Sequence, residues 1–164
     1  MIIPTEHQVH YKRMILEELR LVYIAKNTDY GNAATLTYKE YGIISYVTRM
    51  RDKIERYRRI SNNPAMVDED IEEVLMDLCN YAIMCIADLT DKPYEIISMD
   101  ISSKVGGKLM IPTSSEFMYE GFVEYLKPIA ETQNDWTNRK WSLIYLKKII
   151  EFCLQLLVNL KEEE

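Results

Sequence analysis

The sequence predicts an all-α protein, a helical bundle of about five helices, and three observations point there. Apolar side chains recur at spacings of three and four along several long runs. The five glycines and five prolines in 164 residues fall mainly between those runs. With 48% hydrophobic and 28% charged residues, a chain of this length buries roughly 70% of its unfolded surface, so no disulfide framework or structural metal is required to hold it. Residues 1–90 read as a three-helix core. Residues 91–164 read as a connector followed by two helices that pack on the core or form an oligomer interface, within one compact domain.

The first helix begins after Pro4 with Thr5 as N-cap and runs to about Asn27. Ile15, Leu19, Val22 and Lys26 share one stripe, so Lys26 leaves the end of the core-facing seam, where an ammonium requires an anion. Thr28, Asp29, Tyr30, Gly31 and Asn32 form a turn signal that closes the helix and shapes a pocket, with Gly31 able to take positive φ.

The second helix runs from about Thr37 or Glu40 to Ile60, before Ser61-Asn62-Asn63-Pro64. Ile43, Val47, Met50, Ile54 and Tyr57 make its apolar seam, and Arg49, Lys53 and Arg56 make a basic stripe along the seam's edge. The third runs from Val67 to Leu89 or Thr90. Its first turns carry Glu69, Glu73 and Asp77 at successive spacings of four, continued by Tyr81. Like charges at that spacing repel by a few tenths of a kcal/mol, so the ladder needs cations from the second helix or a divalent metal. Beyond Asp77 this helix is apolar nearly all round, which makes it the central one.

In the connector, 94–111 admits a short β-hairpin, since Tyr94 to Ile101 alternates in part and Lys108 to Ile111 reads as a strand. Lys104-Val105-Gly106-Gly107-Lys108 lacks the spacing and hydroxyl residue of a phosphate loop and reads as a glycine turn. Ser114 and Ser115 cap a fourth helix with Phe117, Met118, Phe122 and Tyr125 as its buried face, ended by Pro128. The last helix runs from Trp136 to Lys161 with two apolar stripes, one through Leu146, Ile150 and Leu154 and one through Ile149, Phe152 and Leu156. A second stripe suggests a subunit interface, and a homodimer or higher homo-oligomer is the expectation.

Twenty basic and twenty-six acidic residues give a net charge of −6 and a pI near 5.1, against sequence-independent binding of nucleic acid or of an anionic membrane. The opening residues lack the pattern of a secretory signal, and the longest uncharged stretch of the last helix, Phe152 to Leu160, is about half a membrane span, so a cytoplasmic protein is expected. Cys79, Cys85 and Cys153 read as reduced and buried, and His7-x-x-His10 as half a metal site without a third ligand.

Three ordered blocks, Lys26-Asn27-Thr28-Asp29-Tyr30-Gly31, then Arg49 to Arg56, then Glu69-(x)3-Glu73-(x)3-Asp77-Leu78-Cys79-Asn80-Tyr81-Ala82, resemble the nucleotide modification associated domain 1 family, common in phages and phage-related bacterial loci. They are more distantly similar to all-α nucleotide pyrophosphohydrolases of the MazG and dimeric dUTPase type. The resemblance covers residues 26 to 87. It implies a nucleotide site in which Lys26, Asp29, Tyr30, Arg49, Lys53, Arg56 and Tyr81 bind substrate, Glu69, Glu73, Asp77 and Asp52 surround Mg²⁺, and Glu73 or Asp77 orients the attacking water. It also implies host cytoplasm if the chain is phage-encoded. MazG-type enzymes carry a paired E-x-x-E on the preceding helix, where this chain has Arg49, Asp52 and Lys53. Nucleotide binding is therefore better founded than Mg-dependent hydrolysis. The alternatives are a non-catalytic protein that sequesters a nucleotide or nucleotide-derived defence signal, and a helical assembly module.

Overall fold

The computed structural model describes residues 6–30, 32–62, 70–106, 114–132 and 139–162. Among them are seven helices and no strand: α1 (Glu6–Tyr30), α2 (Ala33–Tyr41), α3 (Ile44–Asn62), α4 (Ile71–Thr90), α5 (Tyr94–Ser103), α6 (Ser115–Glu131) and α7 (Arg139–Glu162). No helix among the described residues is long and apolar enough to cross a membrane.

α4 is the central helix, as its apolar run requires. It packs against α3, α7, α5 and α1, and Leu78, Cys79, Ala82, Ile83 and Cys85 along it are fully buried. Its N-terminus is set by Asp70, whose carboxylate accepts from the Glu73 backbone N–H at 2.8 Å, four residues later than Val67. Its C-terminus is closed by Asp91 in the left-handed region and by the Lys92 N–H on the Ala87 carbonyl at 3.0 Å.

The expected second helix is two. Gly42, at φ +79°, ends α2 by donating its N–H to the Tyr38 carbonyl at 2.7 Å, and α3 starts within two residues. That conformation is open to glycine and strained for other residues, so the single glycine in the segment decides the break. α1 also continues through Thr28, whose hydroxyl bonds back to the Ile24 carbonyl at 2.9 Å, so the turn expected at Thr28 starts later, and Gly31 lies outside the described residues.

The hairpin expected in 94–111 is replaced over its first part by α5. Pro93 supplies the extended N-cap conformation, and Tyr94, Ile97 and Ser98 are buried while Ile96 and Met99 are exposed, the spacing of a helix and the reverse of an alternating strand. Residues 107–111 lie outside the described set. α6 runs through Pro128 because Leu126 and Ile129 on either side are buried in the core, which offsets the one lost hydrogen bond. Phe117, expected on its buried face, is exposed, and Met118, Phe122, Leu126 and Ile129 form that face.

α7 is buried on several sides within one chain. It packs at once on α4, α6 and α1, and residues of both apolar stripes, among them Leu146, Ile149, Ile150, Phe152, Cys153 and Leu154, are buried. The second stripe thus has partners inside the chain, and it no longer argues for a dimer. The α6–α7 approach is close at Gly121, where a Cβ would stand 2.5 Å from the Phe152 ring.

Candidate functional site

α3 and α4 run antiparallel with their polar stripes in register. Lys53 Nζ meets Asp77 Oδ2 at 2.8 Å, and one turn away the Arg49 guanidinium lies 5.9 Å from the centre of the Tyr81 ring. From α1, Lys26 Nζ reaches the other Asp77 oxygen at 3.0 Å. One carboxylate therefore anchors two ammonium groups from two other helices. Asp77 and Lys53 have about a fifth of their side-chain surface exposed, whereas Lys26 is 58% exposed and its pair is correspondingly screened.

Beside this cluster a cavity of about 260 Å³ opens between α1, α2, α3 and α4. Lys26, Arg49 and Asp77 form its charged wall, Tyr81 and Met84 its apolar wall, and Ala33, Ala34 and Thr35 its roof. These last three are the first residues of α2, whose earliest intrahelical bond is from the Leu36 N–H to the Asn32 carbonyl at 2.9 Å. The preceding N–H groups have no acceptor within the helix and carry the positive end of its dipole, and the Asn32 side chain does not cap them.

Arg49 is half-buried, and among the described residues it makes no ion pair or hydrogen bond; its contact is with the Tyr81 ring. A guanidinium left over an aromatic face, next to the first amides of α2 and a partly exposed lysine, is a place where an anion gains charge-assisted bonds at little cost in desolvation.

Two polar networks hold the cleft's frame. Asn80, 7% exposed in the middle of α4, donates to the Leu19 carbonyl at 3.2 Å and accepts from the Tyr94 hydroxyl, while the Tyr94 ring stacks on Tyr23 with centroids 4.0 Å apart. Asp88 accepts from the Thr35 hydroxyl at 3.2 Å and from Tyr46, so one carboxylate ties α2 and α3 to α4. Burial, and for Tyr46 also the bond to Asp88, pushes the Tyr46 and Tyr94 phenols well above the ordinary tyrosine value, so both stay neutral donors.

Of the residues expected from sequence, Lys26, Arg49, Asp77 and Tyr81 are brought to the cavity wall and Lys53 stands behind them on Asp77. Arg56, Asp52 and Glu73 are exposed and do not line it. Asp29 and Tyr30 occupy the last turn of α1, their side chains outside the described set, and Glu69 lies outside it altogether. Sequence reasoning missed Tyr23, the α2 N-terminus, Asn80 and Asp88. The lone amide in an otherwise apolar run was the available signal for Asn80. Nothing in the local sequence pairs Asp88 with Thr35 and Tyr46, which lie 53 and 42 residues away.

Glu69, one of the four ligands expected for Mg²⁺, lies outside the described residues, and Glu73 and Asp52 are exposed away from the cavity. Among the described residues no group of three His, Cys, Asp or Glu side chains converges. Both oxygens of Asp77 are occupied by ammonium groups, and a divalent cation would have to displace them.

The family described as Nucleotide modification associated domain 1 matches residues 26–89, from Lys26 at the mouth of the cleft to the last turn of α4. No curated protein and no solved structure matches the chain at a significant level. The chain is thus similar to that family over the segment that supplies Lys26, Arg49, Lys53, Asp77 and Tyr81.

Proposed function

We propose that the protein binds a phosphate-bearing nucleotide in the cleft between α1, α2, α3 and α4, with the phosphates against Arg49, Lys26 and the first amides of α2 and the base against Tyr81 and Met84. The observation that carries this reading is the half-buried Arg49 that faces the cavity without a carboxylate partner among the described residues. The family match over the same segment supports it.

Asp77 acts in this reading as the counter-ion that holds Lys26 and Lys53 in place. Hydrolysis of the MazG type needs a carboxylate free to hold a metal or to orient water, and the two ammonium bonds on Asp77 weigh against it. Binding without turnover follows. The protein then serves as a nucleotide sensor or sink in the compartment where nucleotides are made, the cytoplasm.

The test is calorimetric titration with nucleoside mono-, di- and triphosphates of each base, with and without Mg²⁺, with pyrophosphate release followed on the same samples. Binding that depends on the phosphate, persists in chelator and yields no pyrophosphate is the expected result. Nucleosides that bind as well as their phosphates would overturn the reading, and Mg-dependent pyrophosphate release would replace it with catalysis.

A further inference from the structure

Outside the family match lies a second cavity, of about 310 Å³, between α1, α5 and α7. Its size is at the small end of ligand pockets, roughly 300–1,000 Å³. Ile101, Val105, Ile150 and Leu154 give it apolar walls.

Two polar side chains that line it are not satisfied among the described residues. Lys12 belongs to the buried seam of α1, one turn before Ile15 and Leu16, and is only 7% exposed. Among the described residues it makes no hydrogen bond and no ion pair; Glu151 acts on it through its field alone. Gln155, 3% exposed, donates its amide N–H to Asn159 Oδ1 at 3.0 Å, but its Oε1 is buried with no donor among the described residues. A largely buried lysine without an anion partner and a buried carbonyl without a donor among the described residues are each costly, and both line the same cavity.

The charges around the cavity say what occupant would settle this. Lys12, Lys104 and Lys147 face Asp100 and Glu151, and Asp100 is taken by Lys104 at 3.1 Å. One positive charge is left over. We propose that this cavity is a second ligand site, for a small monocarboxylate with an apolar body and an N–H or O–H donor: the carboxylate on Lys12, the donor on Gln155 Oε1, the body against the aliphatic walls. A phosphate dianion is disfavoured by the single excess charge and the apolar walls.

The test uses the full chain and a panel of phenyl- and hydroxyphenyl-alkanoates of two to four carbons, with the matching alcohols and amines, read by saturation-transfer NMR and thermal shift. The carboxylates are expected to bind, the alcohols about tenfold more weakly, and the amines not at all. Lys12→Met is expected to melt higher than wild type without ligand and to lose carboxylate affinity at least about tenfold, because it removes a buried unpaired charge and the ligand's partner together. Gln155→Leu is expected to abolish any advantage of the hydroxylated acids, and Arg49→Ala to leave carboxylate binding unchanged. Equal binding of acids and amines, or a Lys12→Met variant that binds as wild type, would overturn the proposal, as would no binding by any acid. Should Lys12→Met fail to fold, wild-type amide shifts decide: shifts confined to α1, α5 and α7 support the site, and shifts around Arg49 or none at all overturn it.

Discussion

Asp77 and Asp88 lie eleven residues apart on α4, three turns along nearly the same face, and they are satisfied in opposite ways. Asp77 is held by two ammonium groups, Asp88 by two hydroxyls. The cations around Asp77 are a resource that a phosphate can share, because a second anion is welcome where two positive charges surround one negative. Asp88 has no cation among the described residues, and its hydroxyl donors come from Thr35 of α2 and Tyr46 of α3. One carboxylate therefore tunes charge, and the other fixes the position of the helix whose N-terminus roofs the cleft.

The largest expected effect comes from removing the cation that neither carboxylate holds. Arg49→Ala should weaken nucleotide binding by about 2–3 kcal/mol, some hundredfold, with little change in melting temperature, since Arg49 supports no ion pair in the described fold. Titration calorimetry alongside thermal denaturation checks both halves.

Asp88→Ala sharpens the other arm. It strands the Tyr46 and Thr35 hydroxyls and should cost about 1–3 kcal/mol of stability in urea denaturation, with a smaller loss of nucleotide affinity as α2 loosens. α2 has no fully buried residue; besides these bonds, Ala34 and Tyr38, partly buried against the core, keep it in place. An Asp88→Ala protein with unchanged stability would break the comparison.

A pH series on the alkaline side probes the arm that holds Asp88 through Tyr46. The folded Tyr46 phenol is raised above its ordinary value of 10.0, so its contribution is fully present below that pH and is lost as pH rises above it, where the unfolded chain ionises and the folded one cannot. Stability should fall above about pH 10, by at most about 1.4 kcal/mol per pH unit for each such tyrosine. Tyr46→Phe should make that fall shallower, while an Asp77 substitution should leave Tyr46's contribution to it in place.

Much of this was legible in the sequence, and the gaps have physical causes. The central position of α4 followed from its nearly unbroken apolar run, and the pairing of Lys53 with Asp77 from two stripes of opposite sign. Gly42 and Pro93 were visible, but neither residue by itself tells a sequence reader that one helix ends or another begins there, and the Tyr94 ring that anchors α5 stacks on Tyr23, far away in the chain. α7 looked like an interface because two stripes exceed what one neighbour covers; with α4, α6 and α1 around it, the same residues are core. The carboxylate ladder left cations of the second helix or a divalent metal as its partners, because spacing shows which acids share a face and not which cations arrive from other helices. Lys26, fifty-one residues before Asp77, is such a cation.

The central claim is that Asp77 serves as a counter-ion, and Asp77→Asn tests it most directly. The amide keeps the shape and removes one negative charge from beside Lys26 and Lys53. Stability should drop by about 1–2 kcal/mol, between the values for exposed and buried ion pairs. The measurement is the affinity of Asp77→Asn for a nucleoside triphosphate, both in chelator and in Mg²⁺, against wild type under the same conditions. An affinity equal to wild type or severalfold tighter is the result this account predicts; a loss of binding that Mg²⁺ accounts for in the wild type, together with loss of a wild-type pyrophosphate-releasing activity, would contradict it.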